Sequence, residues 1–223
     1  MKNISVIIRN KNESRWIGYS IQSCLDFFEN PEIIVVDNKS SDNSMEIVRS
    51  FKHDPHLEPS IRNYCDVKVT NIDSYTPGKS LNKGIKLASK PYICILSAHA
   101  VIKNLDSEHI SKKLEEYQCI FGKQIPVYRG KRITPRYLWS HFSDKEVKNM
   151  FSQLESRYFM HNAFSIFPRK TLLEIPFNEE VTGKEDRLWA KELISKNKNF
   201  LYTPRMVAEH YYTKDGNTWK GVG

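Results

Sequence analysis

Glycine and proline are scarce in this chain of 223 residues, at 9 and 10, which excludes a collagen-like repeat or a low-complexity linker protein. Long apolar runs are missing as well. The longest, Ile33-Ile34-Val35-Val36 and Tyr92-Ile93-Cys94-Ile95-Leu96, fall far short of the roughly 18 residues a membrane-spanning helix needs. Near the start, Arg9, Lys11, Glu13 and Arg15 interrupt the apolar stretch 4–8 before a secretory core could form, so the chain is expected to remain in the cytoplasm. Cysteine is sparse: Cys24, Cys65, Cys94 and Cys119 are widely spaced and form no CxxC pair. That excludes a zinc finger or a disulfide framework and predicts buried thiols in a reducing compartment.

What is present is an ordinary folded composition, with 39% hydrophobic and 12% aromatic residues. The length suits one domain or two intimately joined halves. A net charge of +8 would attract nucleic acid, an anionic membrane surface or a phosphorylated small molecule, and does not choose among them.

The first hundred residues alternate apolar runs with helical periods, the pattern of a parallel sheet flanked by helices. Strands are expected over 4–8, 33–36, 67–72 and 92–96. Helices are expected after a cap at Asn12 or Ser14, over 43–51 behind Ser40, Ser41 and Asp42, and over 79–88. Asp37 and Ser97-Ala98-His99 then sit at carboxyl ends of strands, where open α/β sheets bind ligands. The second half predicts helices over 105–117 and 184–196 and strands over 162–167 and 200–202. Between them, the basic, proline-bearing stretch 122–148, with Arg129, Lys131, Arg132 and Arg136, is expected to be the mobile segment.

Taken in order, Ser5-Val6-Ile7-Ile8-Arg9-Asn10-Lys11-Asn12-Glu13 and Glu32-Ile33-Ile34-Val35-Val36-Asp37-Asn38-Lys39-Ser40-Ser41-Asp42 resemble the opening of family 2 glycosyltransferases of the GT-A fold. Pro77-Gly78-Lys79-Ser80-Leu81-Asn82-Lys83-Gly84 is similar to the family's glycine turn and helix start. Phe121-Gly122-Lys123-Gln124-Ile125-Pro126 resembles a Gly-Arg-Gln-x-Pro segment of a rhamnosyltransferase-like branch. Asn162-Ala163-Phe164-Ser165-Ile166, Gly183-Lys184-Glu185-Asp186 and Ala208-Glu209-His210 resemble its later motifs, so the likeness runs over about residues 4–210. The implied fold is α/β: one GT-A domain over 1–223, with a Rossmann-like, mostly parallel nucleotide-sugar half (about 1–103) and a smaller acceptor half (about 104–223).

The resemblance implies an inverting glycosyltransferase that moves a sugar from a nucleotide-diphosphate sugar to a hydroxyl of a glycan or lipid-linked glycan. The setting would be bacterial surface polysaccharide or lipopolysaccharide synthesis, with peripheral contact to an anionic membrane at the inner face. Asp37 would accept a hydrogen bond from the base, and Arg9, Asn12, Glu13, Gly78, Lys79, Asn82 and Ser97 would complete the nucleotide site. As a plain residue reading, Asp37 is equally a turn-forming aspartate.

Ser97-Ala98-His99-Ala100 replaces the family's Asp-x-Asp. His99 and the late His210 would hold a divalent metal, and nitrogen ligands favour Mn²⁺ over Mg²⁺; a metal-free site neutralised by Lys and Arg is the alternative. Asp186 would be the catalytic base, with Glu185 and Asn162 on the acceptor side, although two acids in a first helical turn also suit the helix dipole. Tyr211 and Tyr212 either line the acceptor cleft or form an exposed tail. A non-catalytic nucleotide- or glycan-binding protein is the rival reading. No aromatic-basic reading motif points to nucleic acid.

Overall fold

The computed structural model describes residues 1–52, 66–214, 216 and 219; Cys65 and most of the polar stretch after the second helix lie outside them. The chain runs β1 (Ile4–Asn10), α1 (Ile17–Phe27), β2 (Glu32–Asp37), α2 (Ser44–Ser50), β3 (Asp66–Asn71), α3 (Pro77–Leu87), β4 (Tyr92–Ser97), β5 (Ala100–Leu105) and α4 (Ser107–Lys113). It continues through β6 (Cys119–Tyr128), β7 (Lys131–Arg132), a 3-10 turn (Tyr137–His141), β8 (Val147–Lys148), β9 (Phe151–Ser152), β10 (Arg157–Tyr158), β11 (Phe164–Pro168), α5 (Arg169–Glu174), α6 (Glu185–Ser195) and β12 (Phe200–Tyr211).

One sheet carries the order β3-β2-β1-β4-β11-β6-β12-β5. The first four strands are mutually parallel. β11 then enters antiparallel between β4 and β6, and β12 runs parallel to β6 and antiparallel to β5. The parallel part is therefore the first half of the chain, as its continuous apolar runs predict for strands buried on both faces.

Strand alternation divides the core between two layers. Ile4, Val6 and Ile8 of β1, with Ile33, Val35, Cys94 and Leu96, pack with Ile17, Ile21 and Cys24 of α1, Val48 of α2 and Ile110 of α4. Ile7, Ile34, Val36, Ile93 and Ile95 face the other way, onto Leu81 and Ile85 of α3, Leu172 of α5 and Trp189 and Leu193 of α6. Cys24, Cys94 and Cys119 are buried and form no disulfide among the described residues, and burial pushes the thiols of Cys94 and Cys119 up.

Three expectations need correction. The stretch 122–148 is not one loose loop: residues 122–128 complete β6, most of which is buried, and β12 pairs with it along nearly its full length, while Arg129, Lys131, Arg132 and Arg136 beyond it are exposed. Residues 100–105 form β5, so the following helix is shorter than expected and starts behind Asp106, whose side chain accepts from His109 N. Neither Asn12 nor Ser14 caps α1, which begins behind Trp16 with no side-chain cap. Asn12 instead takes a positive φ and accepts from Ser41 N at 2.7 Å, while Ser14 N donates to Asp42 at 2.8 Å. Those bonds fasten the turn after β1 to the turn after β2.

Candidate active site

β1, β2 and β4 end side by side, Asn10 in register with Asp37 and Arg9 with Ser97. The loops that follow them converge on a cleft of about 470 Å³, lined by Arg9, Glu13, Ser97, His99, Asn162, Glu185 and Asp186 among the expected residues. The second half contributes through α6, whose first turn opens on the cleft behind Lys184, held at φ 60°.

On the nucleotide side Asp37, also expected there, is buried, lines no part of this cleft and is largely occupied. Its Oδ1 accepts from Asn10 Nδ2 (2.8 Å) and Ser40 Oγ (2.6 Å), and its Oδ2 from Ser40 N (2.9 Å). A carboxylate offers about four acceptor directions, so one on Oδ2 is left for a base N–H.

Gly78, Lys79 and Asn82, expected at the nucleotide, line no part of this cleft. They build α3 and its contact with the second half. Lys79 N caps onto Thr76 Oγ1 (3.1 Å), and Asn82 Nδ2 donates to Phe177 O (2.8 Å) and Glu179 Oε1 (2.9 Å) while Oδ1 accepts from Phe177 N (3.0 Å). A Cβ on Gly78 would lie 2.0 Å from Asn178 O, so the glycine is required by backbone contact. Asn12 is spent on its turn in the same way.

The histidines are arranged as a pair, their ring centroids 4.8 Å apart. His99 Nδ1 lies 2.9 Å from Glu13 Oε1; a carboxylate only accepts, so Nδ1 carries a proton and Nε2 is the nitrogen left for a ligand. The tautomer of His210 follows from a longer chain of reasoning. Ala163 N donates to His161 Nδ1 (3.3 Å), so that nitrogen is an acceptor. Gln124 must therefore point Nε2 at it (2.8 Å) and turn Oε1 to His210 Nδ1 (2.7 Å), which makes Nδ1 the protonated nitrogen there too.

His210 is completely buried and does not line the cleft, and its Nε2 has no partner among the described residues. Burial, with His99 and His161 nearby, holds the His210 pKa well below the ordinary imidazole value; burial, then Arg187, brings His161 down to about 3. Two imidazoles anchored through Nδ1, each leaving Nε2 for a ligand, fit a borderline divalent cation. Among the described residues no group of three His, Cys, Asp or Glu forms a complete cation cage, so the remaining ligands would have to come from a bound diphosphate and water.

The acidic pair lines the same cleft as His99, both residues buried. Glu185 Oε1 receives Arg9 Nη1 and Asn162 Nδ2, each at 3.1 Å. Asp186 Oδ2 pairs with Arg187 Nη1 at 2.8 Å, and its Oδ1 accepts only from Arg187 N. Arg187 is itself locked: Nη2 reaches Glu155 Oε1 at 3.2 Å, Nη1 donates to Met160 O at 2.8 Å, and the guanidinium lies 4.1 Å from the Phe159 ring centroid. Asp186 is thereby held in one orientation with acceptor capacity on Oδ1 to spare.

Sequence reading assigned no role to Gln124, His161, Arg187 or Glu155. Gln124 stands inside a quoted motif and Arg187 directly follows the acidic pair, but their partners come from distant strands. Arg129, Lys131, Arg132 and Arg136 do not line the cleft; Leu138 does.

A family model described as Glycosyl transferase family 2 matches residues 5–175. The minor teichoic acid biosynthesis protein GgaA of Bacillus subtilis is 27% identical over 215 residues, covering 88% of this chain and 44% of that protein. Among solved structures, S. aureus TarS 1–349 in complex with UDP-GlcNAc superposes with a TM-score of 0.70 at 21% identity, over 100% of this chain and 62% of that one. The mannosyltransferase PcManGT of Pyrobaculum calidifontis, in complex with GDP-Man and Mn²⁺, gives 0.66 at 14% identity, over 98% and 59%. The chain thus spans about half the length of the curated relatives it matches.

Proposed function

Because the chain belongs to glycosyl transferase family 2 and has the GT-A fold, we propose that it transfers a sugar, with inversion, from a nucleotide-diphosphate sugar to an acceptor hydroxyl during synthesis of a bacterial surface polysaccharide. The observation that carries this reading is that His99, Glu185 and Asp186 line one cleft, with the buried His210 ring packed behind His99 and its Nε2 without a partner among the described residues.

In this reading the first half, to about residue 103, holds the nucleotide. The turn of Asn10, Asn12 and Asp37 receives the base, with Oδ2 of Asp37 accepting its N–H. Glu13 acts through His99, fixing its ring. His99, and His210 behind it, would hold a divalent cation through Nε2, and nitrogen donors would favour Mn²⁺ over Mg²⁺. When bound, that cation supplies positive charge to the leaving diphosphate.

The second half presents the acceptor. Its hydroxyl gives its proton to Asp186 Oδ1 as the oxygen forms a bond to the anomeric carbon, and the bond from that carbon to the diphosphate oxygen breaks on the opposite face. Glu185, tied to Arg9 and Asn162, shapes the acceptor side. The Gly122–Pro126 segment keeps the rhamnosyltransferase-like branch as the finer reading. A glycan or lipid-linked glycan is the acceptor class. No helix among the described residues is long and apolar enough to cross a membrane, so contact with an anionic membrane would rest on the +8 charge.

The test is release of nucleoside diphosphate from a panel of UDP-, GDP- and dTDP-sugars, with Mn²⁺, with Mg²⁺ and with chelator. Cation-dependent hydrolysis of one donor is expected; no hydrolysis and no nucleotide binding under any condition would refute the reading.

A further inference from the structure

An arginine can meet a carboxylate with one nitrogen or with two, and at Asp186 the difference decides whether an oxygen is left to take a proton. A guanidinium set fork to fork on a carboxylate occupies both oxygens, the pairing that arginine favours. Arg187 does not pair in that way. Only its Nη1 reaches the Asp186 side chain, at Oδ2 and 2.8 Å, while Nε and Nη2 turn to Glu155 at 3.4 and 3.2 Å. The nitrogen that would complete the fork on Oδ1, Nη2, is taken by a second carboxylate.

A separate piece of structure places Glu155 for this. β9 and β10 pair only with each other, outside the main sheet, and Glu155 stands in the turn between them. Its N donates to Ser152 Oγ at 3.0 Å, and that hydroxyl lies 2.7 Å from His141 Nε2, whose other nitrogen donates to Leu138 O at 2.9 Å. The His141 ring stacks on Phe159 at 4.0 Å, and the Arg187 guanidinium lies 4.1 Å from the same ring centroid, so the two take opposite faces of Phe159. Burial works to raise the Glu155 pKa, but the hydrogen bonds and charge of Arg187 outweigh it and hold it below the usual carboxylate range. Glu155 therefore meets Arg187 as an anion. Burial of Arg187 does not call for it, because Asp186 already supplies one counter-charge and Met160 O accepts from Nη1. Two carboxylates on one guanidinium instead leave one negative charge in excess, in the wall of the main cleft that Glu155, Asp186 and Arg187 share.

We propose that Glu155 is a positioning residue for sugar transfer: by holding Nε and Nη2 of Arg187 it keeps that guanidinium on one oxygen of Asp186 and leaves Oδ1 open to the acceptor hydroxyl. The inference rests on the glycosyl-transfer reading and adds a residue that acts through Arg187.

The experiment compares Glu155→Gln and Glu155→Asp, each in the native chain and together with Asp186→Asn, by steady-state kinetics and by a crystal structure of Glu155→Gln. The amide keeps the shape but accepts at one atom in place of two and carries no charge; melting curves confirm that each variant is folded. In Glu155→Gln, kcat should fall about 10- to 100-fold, the scale of a misplaced reacting group, with the donor KM and the UDP affinity near native. Glu155→Asp, which keeps the charge, should recover most of that rate. With Asp186→Asn already present, Glu155→Gln should cost little more, since residues acting as one unit are not additive. The crystal structure should show Arg187 turned onto both oxygens of Asp186. Native kcat in Glu155→Gln, an undiminished further loss beside Asp186→Asn, or Arg187 still on Oδ2 alone in the variant would each overturn the proposal. A native chain that releases nucleoside diphosphate from no donor would instead strike the glycosyl-transfer reading, and the crystal structure would still decide what holds Arg187 off Oδ1.

Discussion

Replacing Gln124 by Leu tests whether His210 is held ready for a cation. Gln124 is 2% exposed and makes two side-chain hydrogen bonds at once, to His161 and to His210. Leucine removes both. His161 Nδ1 keeps the Ala163 N–H, but His210 Nδ1 loses its acceptor in a site without water access, at a cost of about 1–3 kcal/mol. The ring can recover only by moving its proton to Nε2, the atom proposed to face the cation.

Loss of such an outer partner typically lowers metal affinity by about 10–100-fold. Mn²⁺ binding in the presence of UDP, read from the free-ion electron paramagnetic resonance signal, reports this without any turnover. Gln124→Glu is the informative companion. It still accepts from His210 Nδ1 but sets lone pair against lone pair at His161, so it should keep Mn²⁺ affinity while lowering the melting temperature. A folded Gln124→Leu protein with native Mn²⁺ affinity would refute the reasoning.

Asp186→Asn should slow transfer by about 10²–10⁴-fold, the range of general-base catalysis, with UDP affinity nearly unchanged; turnover near the native rate would remove Asp186 from the chemistry. His99→Ala should abolish the added thermal stabilisation that Mn²⁺ gives in the presence of UDP, whereas His99→Asp should restore a response to Mg²⁺; a native Mn²⁺ response in His99→Ala would count against the histidine pair. Glu32 predicts acid sensitivity: burial works to raise its pKa, but hydrogen bonds from Lys68, Ser5 and Ser89 outweigh it and bring it from 4.5 to about 2. A carboxyl depressed in the fold stabilises above its unfolded pKa and loses that contribution as pH falls from about 4.5 toward 2, worth at most about 3 kcal/mol. Urea unfolding of Glu32→Gln should therefore fall short of native stability at pH 6, with the gap narrowing below about pH 4.5 and closing as pH approaches 2; a gap independent of pH would contradict this.

The parallel strands were legible because burial on both faces leaves uninterrupted runs such as Ile33 to Val36. β5 was not, since Ala100 and Ile102 are buried while Lys103 and Asn104 are exposed, and such a half-covered strand carries little pattern. β6 was hidden by Lys123, Gln124 and Pro126. The structure tolerates each for a separate reason: Lys123 reaches out to Asp144, Gln124 is satisfied by two histidines, and Pro126 falls past the β11 pairing, beside the two-residue β7, where its carbonyl still accepts from Ile133 N at 3.1 Å, an edge position of the kind that takes proline. At the site, His99, His210, Glu185 and Asp186 could be named in advance because motifs mark them. Gln124 and His161 acquire meaning only when β6, the segment before β11 and the end of β12 lie side by side, and no local pattern encodes that.

Gly78 sets the clearance between the halves. With 2.0 Å available where a methyl carbon would stand, and with Asn82 clamping Phe177 from the next turn of α3, any side chain at position 78 acts as a wedge. The displaced segment, 177–179, leads within a few residues to Gly183 and the first turn of α6. A wedge under α3 would therefore be felt as a shifted aim of Glu185 and Asp186 relative to His99, with the strands beneath undisturbed: an alignment fault, in which each half keeps its own shape and the two no longer point at the same place.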